Sequence, residues 1–417
     1  MEMTAKQKEE QAGLTLVVTL KDKTVFSYLL DREGKTLQIH ADRKDRPETP
    51  GDLFLARIDR IISGQNAAFI DYLPGKKGYL HLDTCVNALV MHGKEHTVPK
   101  PGDELVVRLQ RFNTGSKQPT FSGRIELAGI YSVLHAEGNA AGVSRKMSGE
   151  DRIRWKTVAD CHTDGDTSIV IRTNAVTADE ETVVNEIMSL KEQLKRIRQK
   201  AQFGNCPEQL FSMPAGYLSR IASLQADQIM KIVTDDPVLF DEINGFVKEN
   251  CPGFSFNVSY YRDTMLSMEK LYSLERRLKE ALDRKVWLKS GGFLIIEQTE
   301  ALVSIDVNAG KGSVPGKKVT QEEQALKVNL EAAAEIARQI VIRNLSGIIV
   351  VDFLKMDQEE DRDRVSGALE NGLRQDRLPC SKVFFTPLGL AEFTRKREEV
   401  SLQMTLKKTV DKYIHIE

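Results

Sequence analysis

The chain has 417 residues, more than one ordinary domain of roughly 100–200 residues, and its 41% hydrophobic and 29% charged composition is that of a globular protein. With 59 basic against 60 acidic residues the net charge is −1, which excludes a globally cationic nucleic-acid binder. A nucleic-acid partner would have to be held by local clusters, with affinity that falls as salt rises.

Residues 1–13, MEMTAKQKEEQAG, are polar and lack the apolar core of a signal peptide. They read as a disordered start to a cytoplasmic protein. Residues 14–40 alternate through LTLVVTL, VFSYLLD and TLQIHAD, a β-meander pattern. Short strands continue through 49–127 as DLFLARIDRII, AAFIDYL, GYLHLD, ELVVRLQRF and FSGRIEL, punctuated by Pro50-Gly51, Pro74-Gly75 and Pro101-Gly102. Closely spaced strands of this size suggest a small closed barrel, of which the OB-fold is the commonest RNA-binding example.

From Gly149 the texture becomes mixed α/β. A strand is expected at 167–172 between turn-like flanks, followed by helices over about 177–200, 217–231 and 236–250. FSFNVSYYR (254–262) alternates as a strand, and one charged helix is expected over 265–286. GGFLIIEQTEALVSIDVNAG reads as two strands joined by a tight turn, and GKGSVPGKK as a loop. A helix over 320–343 opens with a capping box of Thr320 and Glu323, and Leu326, Leu330, Ala333, Ala337 and Ile340 share one face. GIIVVDF (347–353) is apolar on both faces, as a central strand would be. A helix over 358–375, a strand over 382–386 and a final helix from about 388 complete the expected α/β sandwich. No run approaches the ~20 apolar residues that span a bilayer. The five cysteines (Cys85, Cys161, Cys206, Cys251, Cys380) contain no CxxC pair, so they read as reduced thiols, with zinc not expected.

Chemistry concentrates at two aspartates. In VSIDVN the two-residue period places Val303, Ile305 and Val307 on one face and Ser304, Asp306 and Asn308 on the other. Asp352 ends the apolar run 348–351. A carboxylate in such a strand is costly unless it is paired or binds a cation, and no Lys or Arg adjoins either aspartate on its own strand. Two readings stay open on this pattern. Each Asp caps the element that follows it, or the strands are neighbours and both carboxylates meet at one edge as a hard-oxygen site for Mg²⁺. The basic runs LKRIRQK (194–200) and TRKR (394–397) are either solvated helix faces or RNA tracks.

Four blocks, GFLIIEQTEALVSIDVNAG, VNLEAAAEIARQI, GIIVVDFLKM and LGLAEFTRKR, resemble the ribonuclease E/G family in order and spacing, and a weaker resemblance reaches back to about residue 15. The resemblance implies a hydrolytic endoribonuclease of RNA decay and rRNA or tRNA processing, acting on single-stranded, AU-rich, 5′-monophosphorylated RNA. It implies products ending in a 3′-hydroxyl and a 5′-phosphate. The motif aspartates that bind Mg²⁺ fall on Asp306 and Asp352, and the motif asparagine on Asn308. IVIRTNAV and LAGIYSVL resemble the 5′-sensor segments, which places Arg172 and Thr173, with Gly129 and Val133, at the terminal phosphate. A surface salt bridge is the alternative for Arg172. AAFIDY and GYLHL put Phe69 and Tyr79 at base-stacking positions, and Lys117 matches a basic RNA contact; from pattern alone Phe69 reads as core.

The implied architecture is a multidomain α/β chain. A ribonuclease H-like domain in two parts (14–48 and 216–286) is interrupted by an OB-fold (49–127) and a 5′-sensor (128–215). A deoxyribonuclease-I-like α/β sandwich (287–405) and a tail (406–417) follow. The sequence departs from the family pattern in three ways. No CPxCxG zinc link follows the catalytic segment, so any oligomer is expected not to be the zinc-linked kind. Lys355 stands in FLKM where the family carries an acid, and an arginine of some members is missing near Leu378. The alternative reading is therefore an RNA-binding or rRNA-associated factor of the same fold that has lost cutting power, with Lys355 paired to Asp352 or to the RNA backbone.

Overall fold

The computed structural model describes residues 13–44, 48–62, 64–85, 90–92, 99–111, 118–223, 229–250, 257–310, 321–374, 376–397 and 400–407. The expected disordered start, the GKGSVPGKK loop with the Thr320 cap, and the end of the C-terminal tail lie outside the described residues. The chain divides into two compact units. One lies within Met1–Arg43, Ile229–Phe240 and Asn257–Glu417, the other within Lys44–Gln228 and Asp241–Phe256.

In the first unit, strands Leu14–Lys21, Thr24–Leu30 and Thr36–Arg43 form the expected meander. Asp22 and Lys23 both take positive φ, 44° and 66°, the conformation of a two-residue hairpin turn that matches strand twist. Leu14–Lys21 also pairs in parallel with Ile229–Thr234, which pairs in parallel with Asn257–Tyr260. The helix expected over 217–231 therefore ends at Ser223. A run rich in β-branched residues, with Ile232, Val233 and Thr234 buried, is paired on both edges and continues as strand. The single helix expected over 265–286 is also interrupted. Ser273 sits at φ 51° between helices Met268–Leu271 and Leu274–Leu282, and Lys285–Trp287 is an edge strand.

The second sheet of this unit runs Lys285–Trp287, Phe293–Gln298, Leu302–Asn308, Gly347–Asp352, Ala391–Arg395, Phe384–Phe385. Leu302–Asn308 and Gly347–Asp352 are its one parallel pair, connected through the helix Gln321–Ile342. Val303, Ile305, Val307, Ile349 and Val351 pack against Ala333, Ile336, Ala337 and Ile340 of that helix and Val365 and Leu369 of the helix Glu359–Leu373. Among the described residues the opposite face is open. Ile348 is 50% exposed, so the strand that is apolar on both sides is covered on only one.

The final helix expected from about 388 is instead the strand Ala391–Arg395. Ala391, Phe393 and Arg395 point in while Glu392 and Thr394 point out, and that period of two fits pairing with Gly347–Asp352. The expected strand at 382–386 shortens to Phe384–Phe385, and the last described helix is Leu402–Lys407. Arg395 of the TRKR run is buried and not on a helix. It pairs with Asp376 and donates to Asn344 Oδ1 and the Leu345 carbonyl at 2.9 Å each, which removes it from any RNA track.

In the second unit, Leu53–Ile62, Ala67–Leu73, Lys76–His81, Thr120–Ser122 and Glu104–Arg111 pair in turn, and Leu53–Ile62 pairs back onto Glu104–Arg111. This is a closed five-stranded, OB-like barrel, filled by Phe54, Ile58, Ile70, Leu80, Leu109 and Phe121. FSGRIEL is not one strand. Thr120–Ser122 belongs to the barrel, and Glu126–Ala128 begins a separate sheet with Ser132–His135, Ser168–Ile171 and Ala141–Val143. The helix Gly149–His162 escaped the sequence pattern because only Trp155, Val158 and Ala159 are buried along it. The helix Glu180–Phe203 is N-capped by Asp179, and it buries Leu194 and Ile197 of the LKRIRQK run. Arg198 and Lys200 of that run donate to the carbonyls of Ala136 and Gln209. Among the described residues no helix is long and apolar enough to cross a membrane.

Replacing Arg395 with alanine would strand the buried Asp376 carboxylate. It should cost about 3–5 kcal/mol of stability, measured by denaturant unfolding.

Candidate active site

Inward packing of Val303, Ile305 and Val307 turns Ser304, Asp306 and Asn308 onto the open face of the six-stranded sheet. In the parallel register Asp306 stands directly opposite Asp352. Both aspartates are exposed, and Asn308 Nδ2 donates to Asp306 Oδ2 at 2.8 Å, fixing the rotation of that carboxylate. Asp352 has no hydrogen bond or ion pair among the described residues. The sequence thus brings both carboxylates and the amide to one place, and neither aspartate caps a following helix.

Lys355 does not reach the pair. Its ammonium lies 2.9 Å from Asp357, whose hydrogen bond and charge raise the lysine pKa and hold it charged. Among the described residues no three or more His, Cys, Asp or Glu side chains converge as a metal cage. Two hard carboxylate oxygens beside an amide do not match a tetrahedral Cys/His zinc site. They suit a cation that keeps most of its water and takes one or two carboxylates.

Sequence reasoning missed the residue that holds the Asp352 end of this site. Asn329, fully buried on the helix Gln321–Ile342, donates through Nδ2 to the Leu354 carbonyl at 2.8 Å and accepts the Leu354 N–H at 3.0 Å. It clamps both sides of the backbone two residues beyond Asp352. The signal was an asparagine four residues before Ala333, on the apolar stripe of the helix. At the other end of the strand, Gly347 takes φ 90°, a backbone conformation that a side chain would strain.

The expected sensor residues also come together in the four-stranded sheet. Arg172 Nη1 donates to the Gly129 carbonyl at 2.6 Å, and Thr173 Oγ1 meets Ser144 Oγ at 2.8 Å. Val133 lies between Ala128 and Val170 on the neighbouring strands. The backbone amides beside them are not open, however. The Glu186 carboxylate accepts from the N–H groups of Ile130, Tyr131 and Ser132 and from the Ser132 hydroxyl. Burial pushes the Glu186 pKa up, and these donors pull against that shift. A Cβ on residue 129 would run into the same carboxylate, which explains glycine there.

On the barrel, Phe69 faces outward between the buried Ala68 and Ile70, so it is not core. It stands opposite Tyr79 with rings 6.2 Å apart, the Arg60 guanidinium lies 4.9 Å from its centre, and His81 continues the row 5.1 Å beyond Tyr79. Lys117 lies outside the described residues.

Residues 126–398 match the ribonuclease E/G family. Ribonuclease G of Salmonella typhimurium (strain SL1344) is 31% identical over 403 residues, covering 94% of this chain and 81% of its own length. Ribonuclease G of Escherichia coli (strain K12) is 30% identical over the same shares. Ribonuclease E of Nostoc sp. is 30% identical over 357 residues, 84% of this chain and 51% of that protein. The chain belongs to the ribonuclease E/G family.

Exchange of Asn329 for alanine leaves the Leu354 N–H and carbonyl without partners. It should lower stability by about 2–3 kcal/mol in chemical denaturation. A variant as stable as the parent chain would show that the clamp does not hold the strand end.

Proposed function

We propose that this chain is a Mg²⁺-dependent endoribonuclease that hydrolyses single-stranded RNA and leaves 5′-phosphate ends, in RNA decay or rRNA and tRNA processing. The observation that carries the reading is the opposition of Asp306 and Asp352 on an open sheet face, with Asn308 bound to Asp306. Asp306 and Asp352 would hold the cation, and Asn308 orients Asp306 or the phosphate. Mg²⁺, when bound, supplies charge neutralisation at the scissile phosphate and acidifies its water. The two carboxylates set where the phosphate sits, and the exposed face admits an extended strand without prior unfolding of the protein.

The finer assignments belong to the same reading. Phe69 and Tyr79 are stacking partners for bases, each worth roughly 1–3 kcal/mol. Gly129, Val133, Arg172 and Thr173 are the 5′-monophosphate contacts, supported by the way the Arg172 guanidinium and Thr173 hydroxyl cluster with the 129–133 segment. The five-stranded mixed sheet of the first unit supports a ribonuclease H-like domain in two parts, split in sequence by the barrel and sensor segments. The helix-backed six-stranded sheet supports a deoxyribonuclease-I-like catalytic domain. The AU-rich preference rests on the family alone.

The test is cleavage of a 5′-monophosphorylated, AU-rich oligoribonucleotide with Mg²⁺ or with chelator. Asp306→Asn and Asp352→Asn should each lower kcat/KM roughly a thousandfold or more while oligomer binding persists. Wild-type rates in either variant, or cleavage indifferent to chelator, would overturn the assignment. A stable complex without fragments would favour the non-cutting RNA binder.

A further inference from the structure

The open face that carries the two aspartates also carries an aromatic platform. Cross-strand register sets two adjacent rows of residues across the sheet. In one, Lys285, Ile295, Asp306 and Asp352 stand opposite one another on four successive strands. In the next, Trp287, Phe293 and Asn308 do the same on three. The rows lie two residues apart, about 6.6 Å, and Trp287 is two strand spacings, about 10 Å, from Asn308.

Trp287 is 65% exposed, whereas Trp155, the only other tryptophan, is fully buried. Its indole meets the Phe293 ring at 5.4 Å and 62°, and the Lys285 ammonium lies 3.8 Å and 3.9 Å from the two ring centres. Lys285 pairs with no carboxylate among the described residues, while its neighbour Arg284 is engaged with Glu297. A large ring left in water on a flat sheet is a cost that packing does not explain.

We infer that Trp287 and Phe293, with Lys285 between them, form a stacking subsite for an unpaired nucleobase beside the scissile phosphate. The inference rests on the endoribonuclease reading of Asp306 and Asp352. Three features select single-stranded RNA as the occupant. The rings stand on a sheet face, the setting in which aromatic side chains stack unpaired bases. The ammonium held against them supplies a phosphate counter-charge in a chain of net charge −1. The platform is continuous with the row that holds the acids. A docked protein helix would gain nothing from the aspartates at the far end of the same face. Trp287 lies outside the four blocks that carry the family resemblance, and Phe293 lies at the start of one of them.

Fluorescence can report the contact directly, because Trp287 is the one exposed indole. In the full-length Asp306→Asn chain with Mg²⁺, a single-stranded oligoribonucleotide should quench tryptophan emission, and an added Trp287→Phe change should abolish the quench. In the parent enzyme, Trp287→Ala should raise KM about tenfold, Trp287→Phe should restore most of that loss, and kcat should move less. An oligomer made abasic on both sides of the cleavage site should show no difference between Trp287 and alanine. Cleavage with a Trp287→Ala KM equal to that of the parent, or binding by anisotropy without quench, overturns the platform. Base-dependent quench in a parent chain that never cuts supports the platform and overturns the endoribonuclease reading. Absence of oligomer binding overturns both.

Discussion

The parallel register between Leu302–Asn308 and Gly347–Asp352 is the constraint on which the six-stranded sheet and its candidate site depend. Alternate residues of both strands, Val303, Ile305, Val307, Ile349 and Val351, are driven into one helix-backed core, each worth about 1.5–3 kcal/mol of burial. A slip of one residue in either strand would bury its aspartate and expose its apolar set, so hydrophobic packing enforces the meeting of the carboxylates. The carboxylates themselves contribute repulsion. Their juxtaposition is tolerated because both stay in water, on a face that the described residues of the unit leave uncovered. Asn329 and Gly347 then fix the two ends of the Asp352 strand, one by a buried backbone clamp and the other by a conformation few residues adopt.

The second unit solves a different problem, that of presenting contacts on elements too small to hide them. The barrel is full, so outward positions such as Phe69 and Tyr79 are left to form an aromatic row with Arg60 and His81 at its flanks. The four-stranded sheet of this unit satisfies a bend of three consecutive amides with an internal anion, Glu186, whose desolvation four donors oppose. The aromatic pair at Trp287 and Phe293 repeats the barrel's arrangement on the open face of the six-stranded sheet, again with a cation against the rings.

Much of this was legible in the sequence wherever one period dominated. The meander over 14–40, the barrel strands, the hairpin leading to Asp306 and the helix after it all carry unambiguous alternation or a single apolar stripe. Reading failed where tertiary pairing overrode a weak local pattern. AEFTR looked helical beside its charged neighbours, yet Arg395 points inward because Asp376, Asn344 and the Leu345 carbonyl are there to receive it. The helix over 265–286 was broken by a left-handed serine that no composition signal marks. The helix Gly149–His162 was missed because it buries few apolar residues. At the site, the faces of VSIDVN were readable from period alone, but the pairing of Asp306 with Asp352 needed the sheet order. The Asn329 clamp needed the Leu354 backbone as well. Lys355 was ambiguous in sequence because Asp352 and the RNA backbone were both candidate partners; the structure gives it to Asp357.

The central claim is that the strand register builds one cation site from Asp306 and Asp352. Electron paramagnetic resonance of Mn²⁺ added to the full-length chain with an uncleavable single-stranded oligomer measures that site without relying on turnover. The account predicts a bound Mn²⁺ that Mg²⁺ displaces and that is lost in both Asp306→Asn and Asp352→Asn. Mn²⁺ binding unchanged in both variants would contradict it.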